Sequence, residues 1–125
     1  MPGVIPHLIA GSTLFLIGRY YFHHYFENDN KTKKLLLLAI VCLTFSFIPD
    51  LFLGIYFTTH ILPYRILLRY HILAHMLFSP LALIVLLLLK YRLDTKREPI
   101  WIIGMWCIVL HIAMDMFFPE VGLLL

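Results

Sequence analysis

A chain of 125 residues that is 62% hydrophobic and only 14% charged lies far from the balance of soluble domains, where about 25% of residues are charged. Its mean hydropathy of +0.89 argues against a water-soluble domain and fits one membrane domain spanning residues 1–125. A net charge of +3 is no nucleic-acid signature, and in a membrane protein lysine and arginine chiefly set topology.

Crossing the hydrocarbon as a helix takes about 20 mostly apolar residues, and four stretches qualify. The first, 4–26, holds His7 after Pro6 and ends in aromatic residues around His23 and His24. It has no basic segment ahead of its apolar part and is too long for the core of a secretion signal, so it reads as a span. The second, 35–57, carries Pro49 followed by Asp50. The third, 66–89, carries His71 and His75 and is interrupted by Pro80; both prolines should kink or loosen their helices. The fourth, 100–118, carries His111 and Asp115, with Glu120 just beyond. None of the four alternates as a barrel strand must. The expected architecture is therefore all-α: a polytopic membrane protein with four transmembrane helices in a bundle.

Charge orients the bundle. Lys31, Lys33 and Lys34 lie between the first two spans, and Lys90, Arg92, Lys96 and Arg97 between the last two. The connection between spans two and three has only Arg65 and Arg69. The excess of positive charge places the two basic loops in the cytoplasm, with both termini on the same, outer side of a multi-pass protein of the cell membrane. Tyr20, Tyr21, Tyr25 and Trp101 fall at the cytoplasmic interface, where aromatic belts form. Cys42 and Cys107 sit inside apolar runs without metal-type spacing and read as small buried hydrophobes. Gly11, Gly18 and Gly104 permit close helix packing.

On this map the unusual polar residues converge. His7, Asp50, His71, His75, His111 and Asp115, with His60 and Glu120, all fall in the outer half although they are scattered along the chain. His71 and His75 are four apart, as are His111 and Asp115, so each pair shares a helix face. Imidazole with carboxylate suits zinc, manganese or iron, with zinc or manganese preferred, and one or two ions between the helices would partner carboxylates that cost about 2.5–3.5 kcal/mol each near a bilayer centre. Each residue also has a plainer role: a satisfied structural histidine, a solvated loop histidine at His60, interfacial rings at His23 and His24, a chain-end cap at Glu120, and headgroup-seeking arginines at Arg65 and Arg69. These residues admit a metal site, a metal-ion or proton transport component, or a non-catalytic protein with structural or heme-binding histidines. Because the polar groups gather in one half of the bundle, they do not trace a path across it. A homodimer is compatible with so small a membrane chain.

The order of motifs, PHLIAGSTL with His7, FIPDLFLG with Asp50, HILAH with His71 and His75, and HIAMDMFFPEVG with His111 and Asp115, resembles the membrane-bound metal-dependent hydrolases, described as LexA-binding, inner-membrane-associated hydrolases. The resemblance covers most of the chain. Two stretches differ: Leu51, Phe52 and Leu53 come after the Pro-Asp step where that family has a second aspartate and a histidine, and the central histidines are four apart rather than five. That family is distantly similar to zinc-dependent phospholipase C and single-strand-specific zinc nucleases. The resemblance implies phosphoester hydrolysis of a phospholipid or other lipid-phosphate substrate, with His7, Asp50, His71, His75, His111 and Asp115 as ligands. Asp50 would act as bridge or general base, and Arg65 or Arg69 would neutralise phosphoryl charge.

Overall fold

A computed structural model describes residues 4–117. Among them the chain is helical throughout and without strands. The helices are α1 (Val4–Tyr21), α2 (His23–Glu27), α3 (Lys31–Phe47), α4 (Leu51–Thr59), α5 (Tyr64–Leu73), α6 (Ser79–Leu88) and α7 (Glu98–Phe117). Short 3-10 turns at Ile48–Asp50 and Thr95–Arg97, and π-helical turns at Ala74–Phe78 and Leu89–Leu93, connect some of them into longer rods.

Three rods are long and apolar enough to cross a bilayer: Lys31–Asp50, Tyr64–Leu93 and Thr95–Phe117. α1 has 18 residues, and His7, Ser12, Thr13 and Arg19 dilute its apolar character. The expected 4–26 helix breaks at Phe22, and α2 starts afresh at His23. The expected 35–57 helix breaks in the 3-10 turn at Pro49, and α4 leaves as a separate segment that packs on α5. Pro49 has no N–H to continue the α-helical ladder, so pairing tightens to three residues, as in the Leu51 N–H bond to the Ile48 carbonyl. Pro80 acts differently. The π-helical turn directly before it widens the backbone where proline would clash with the preceding turn, and the rod continues to Leu93.

α1, α3 and α7 pack against one another, and α6 packs on α7. Burial recurs along α1 at His7, Gly11 and Gly18, a stripe at helical spacing. A Cβ on Gly18 would lie 2.0 Å from Ile103 Cδ1 and 2.9 Å from its Cγ1, and one on Gly11 would lie 2.5 Å from Ser46 Oγ. Only hydrogen at those two positions lets α1 come this close. Leu38, Val41, Cys42, Leu86, Ile100, Ile103, Cys107 and Ile108 fill the interior. Many large apolar side chains face outward instead, among them Ile9, Leu16, Ile40, Leu43, Met76, Ile84 and Trp106, while His7, Ser46, His71, Ser79 and His111 are buried. Polar groups inside and apolar groups outside is the distribution a hydrocarbon solvent selects.

The end with the basic loops has its own fastenings. Lys34 Nζ donates to the Tyr25 carbonyl at 2.9 Å and lies over the Tyr25 ring. Trp101 Nε1 donates to the Asp94 carbonyl at 3.2 Å, and Arg97 pairs with Asp94 at 3.0 Å. His23 and His24 are exposed there.

The close α1 packing gives a first expectation. Gly18→Leu should cost about 1–3 kcal/mol by overpacking, read as a lowered unfolding temperature in detergent, and Ile103→Ala in the same chain should restore part of it. Additive losses in the double variant would mean that the two positions do not meet.

Candidate metal centre

Four imidazoles and two carboxylates meet at one end of the bundle. Each arrives for a local reason. His7 lies one turn into α1, on the face that Gly11 and Gly18 press against α3 and α7. Asp50 is delivered by the 3-10 turn behind Pro49. His71 lies in the last turn of α5, and His75 stands inside the π-helical turn. His111 and Asp115 lie one turn apart on the buried face of α7.

Asp50 is the hub. Its Oδ2 is 3.1 Å from His7 Nε2. Its Oδ1 is 3.6 Å from His71 Nδ1, 3.6 Å from His75 Nε2 and 3.8 Å from His111 Nε2. Asp115 faces the same group: Oδ1 is 3.4 Å from His7 Nε2, and Oδ2 is 2.8 Å from His75 Nε2 and 3.4 Å from His111 Nε2. The rings crowd together, with His7 and His111 stacked at 4.2 Å and His71 edge-on to His75 at 4.3 Å.

These contacts are not hydrogen bonds. Both ring nitrogens of His7, His71 and His75, Nε2 of His111, Oδ1 of Asp50 and both Asp115 oxygens are buried without a hydrogen-bond partner. The 2.8 Å approach of His75 to Asp115 is short but poorly directed for an N–H bond. Buried polar atoms left in this state cost about 1–3 kcal/mol each. Ligands around one small cation stand in just this relation, aimed at a common point rather than at one another. A tetrahedral ion with bonds of about 2.0–2.1 Å holds its ligand atoms about 3.3 Å apart, and the separations here run from 2.8 to 3.8 Å. Two sets satisfy the proximity a metal needs: His7, Asp50, His111 and Asp115, and Asp50, His71 and His75. Asp50 belongs to both: Oδ2 faces His7, and Oδ1 faces His71, His75 and His111.

One contact outside the cluster fixes a ligand. His111 Nδ1 is 3.1 Å from the Ser46 carbonyl. A carbonyl only accepts, so Nδ1 carries the proton and donates. In the neutral ring Nε2 then keeps its lone pair for the cluster, the outer-shell arrangement common to metal-binding histidines. Ser46 had no place among the expected site residues, although it stands one turn before Asp50. Ser79 is also fully buried, one turn beyond His75, with its Oγ unpartnered. The same-face spacing of four, applied outward from Asp50 and His75, points to both.

The remaining candidates stand apart. Arg65 and Arg69 are exposed on α5, and at about 100° per residue Arg69 projects nearly opposite His71. His60 is exposed at the end of α4 in a left-handed conformation, φ 51°, against the Tyr56 ring. Glu120 lies outside the described residues. Cys42 and Cys107 are buried in the core as free thiols. The cluster itself is not sealed: side-chain exposure is 20% at His75, 14% at Asp50 and 11% at Asp115, against 2% or less at His7, His71 and His111.

Zinc added to chelator-treated protein should raise the unfolding temperature, by about 2.7 kcal/mol of stability at 100 times its Kd. Asp50→Ala should remove that response, and His60→Ala should leave it intact. A response undiminished in Asp50→Ala would place zinc elsewhere.

The chain matches no protein-family profile, no curated protein and no solved structure.

Proposed function

We propose that this chain is a membrane-embedded, metal-dependent hydrolase, a phosphoesterase acting on a lipid-linked phosphate at the outer interface. The observation that carries the reading is the convergence of six ligand-type side chains, most of whose buried polar atoms lack hydrogen bonds. Their chemistry fits zinc or manganese. A bound ion of this kind supplies Lewis acidity and lowers the pKa of water from about 15.7 to about 7. The chain's own residues do the rest. His7, His111 and Asp115 would form one half of the ligand set and His71 and His75 the other, with Asp50 bridging them. The partly exposed Asp50, Asp115 and His75 edge is where a phosphate group would enter, and an Asp115 oxygen not engaged as a ligand would take a proton. Arg65 and Arg69 would draw an anionic headgroup toward that end as exposed cations.

The likeness of the motif order to membrane-bound metal-dependent hydrolases supports this reading. A porphyrin fits less well, because carboxylates occupy the space between imidazoles and two of the rings already stack at 4.2 Å. We also read α1 as a fourth crossing. Its outward face carries Ile5, Leu8, Ile9, Leu16 and Ile17, which belong in lipid, and with four crossings both termini share the outer side.

Elemental analysis of protein purified in mild detergent should find about one or two zinc or manganese ions per chain. The His111→Ala/Asp115→Ala double variant should lose them, together with phosphate release from phosphatidic acid. Equal metal in both proteins, or none in either after supplementation, would end the hydrolase reading. Cysteines placed singly at Thr32 and Thr59 should react with an impermeant maleimide from opposite faces of the membrane; reaction from one face would overturn the topology.

A further inference from the structure

Between α1 and α3, on the exposed side of the pair, runs a furrow of about 300 Å³ walled by Gly11, Ser12 and Phe15 from α1 and by Ala39, Cys42 and Leu43 from α3. It exists because small side chains face one another there. Gly11 has no Cβ, since one would strike Ser46, and Ala39 and Cys42 are too short to bridge the helices. Its rim is apolar and exposed: Leu16 on one side, Ile40 and Leu43 on the other. Ser12 contributes the one hydroxyl among these walls, and Thr13 nearby spends its own on the Ile9 carbonyl at 2.8 Å. Such a surface offers water too few partners to hold it.

On both walls the furrow ends one helical turn from the cluster or from the backbone that holds it. Gly11 is one turn, about 6 Å, from His7. Cys42 is one turn from Ser46, whose carbonyl holds His111. A linear hydrocarbon lying in the furrow therefore ends at the level of the His and Asp cluster. We infer that the α1/α3 furrow is an acyl-chain subsite that seats one chain of a phospholipid and brings its headgroup to the cluster. The inference rests on the phosphoesterase reading for the meaning of the headgroup's position, but not for the binding of the chain. It names the substrate class as an acylated, membrane-resident phosphate ester rather than a soluble one. Occupancy should respond to furrow volume, because burial of even two methylenes is worth about tenfold in binding.

The test is photo-crosslinking in nanodiscs of phosphatidylcholine containing a little phosphatidic acid with a diazirine near the ester end of one acyl chain. Crosslinks, mapped by peptide mass spectrometry, should concentrate on the furrow walls, about tenfold above those on the lipid-facing α6 surface around Ile84. Ala39→Trp, which fills the furrow from one wall, and Ser12→Phe, which fills it from the other, should each abolish that excess, while Ile84→Trp should not. Monodisperse elution and unchanged metal content show that a variant is folded. Labelling spread evenly over furrow and α6, or an excess that survives both fillings, overturns the subsite. The same crosslinking on the His111→Ala/Asp115→Ala variant separates the two ideas: furrow labelling retained there with no hydrolysis by the parent protein removes the enzyme and keeps the subsite, whereas metal and hydrolysis without furrow labelling do the reverse.

Discussion

Two carboxylates held within one shell of four imidazoles set the terms for everything around them. Asp50 and Asp115 reach the same His7 and His75 nitrogens, so their charges lie close together in a bundle whose outer surface is hydrocarbon. Water cannot screen them there as it would at a soluble surface, and desolvation of an unpaired carboxylate costs several kcal/mol. The helix ends add to the imbalance: α3 ends at Phe47, three residues before Asp50, and brings the negative end of its dipole to the same end of the bundle. A cation within the shell answers these demands together, which is why the rest of the fold can be understood as a means of holding six side chains around one point.

That requirement explains the irregular backbone. Straight helices through 35–57 and 66–89 would carry their polar residues past one another. The break at Pro49 stops α3 with its carboxylate at the cluster and turns α4 away to pack on α5. The π-helical turn at Ala74–Phe78 inserts an extra residue's worth of rotation between His71 and Ser79, and His75 stands inside it. Irregular turns of this kind are costly in lipid unless the freed backbone groups find partners. At the 3-10 break one partner is visible, since the Ser46 carbonyl accepts from His111. The same bond that satisfies the backbone also chooses the tautomer of a cluster histidine.

Much of this was legible in the residues. Spacing of four placed His71 with His75 and His111 with Asp115, and the Pro-Asp step marked Asp50. His7 was the least obvious member, a lone histidine after a proline, and the glycine stripe below it brings it in: Gly11 and Gly18 draw α1 against α3 and α7 until the ring stacks on His111. Backbone detail was concealed. Pro49 and Pro80 look alike in a string, yet one ends a helix and the other is absorbed by a widened turn. The difference lies in the segments after the two prolines, since α4 has α5 to pack on while α6 must continue along α7. Arg65 and Arg69 suggested themselves by charge and proximity in sequence, but helical phase turns Arg69 away from His71, and both stay exposed.

The small residues also govern how the bundle meets lipid. In water, a helix pair separated by glycine, serine and alanine would close up or fill with solvent. In lipid neither outcome is required, because hydrocarbon packs against a furrow as readily as a side chain does. Gly11 lets α1 approach α3 at the level of Ser46, just below the cluster, and from there toward Phe15 and Ala39 the pair stands apart. Tight contact above and open contact below come from the same run of small residues. The contact above helps to set the geometry of the His and Asp cluster, the opening beside it is apolar, and Gly18 further along packs on Ile103, so a substitution at Gly11 or Gly18 acts on helix packing and one at Ser12 or Ala39 on the opening.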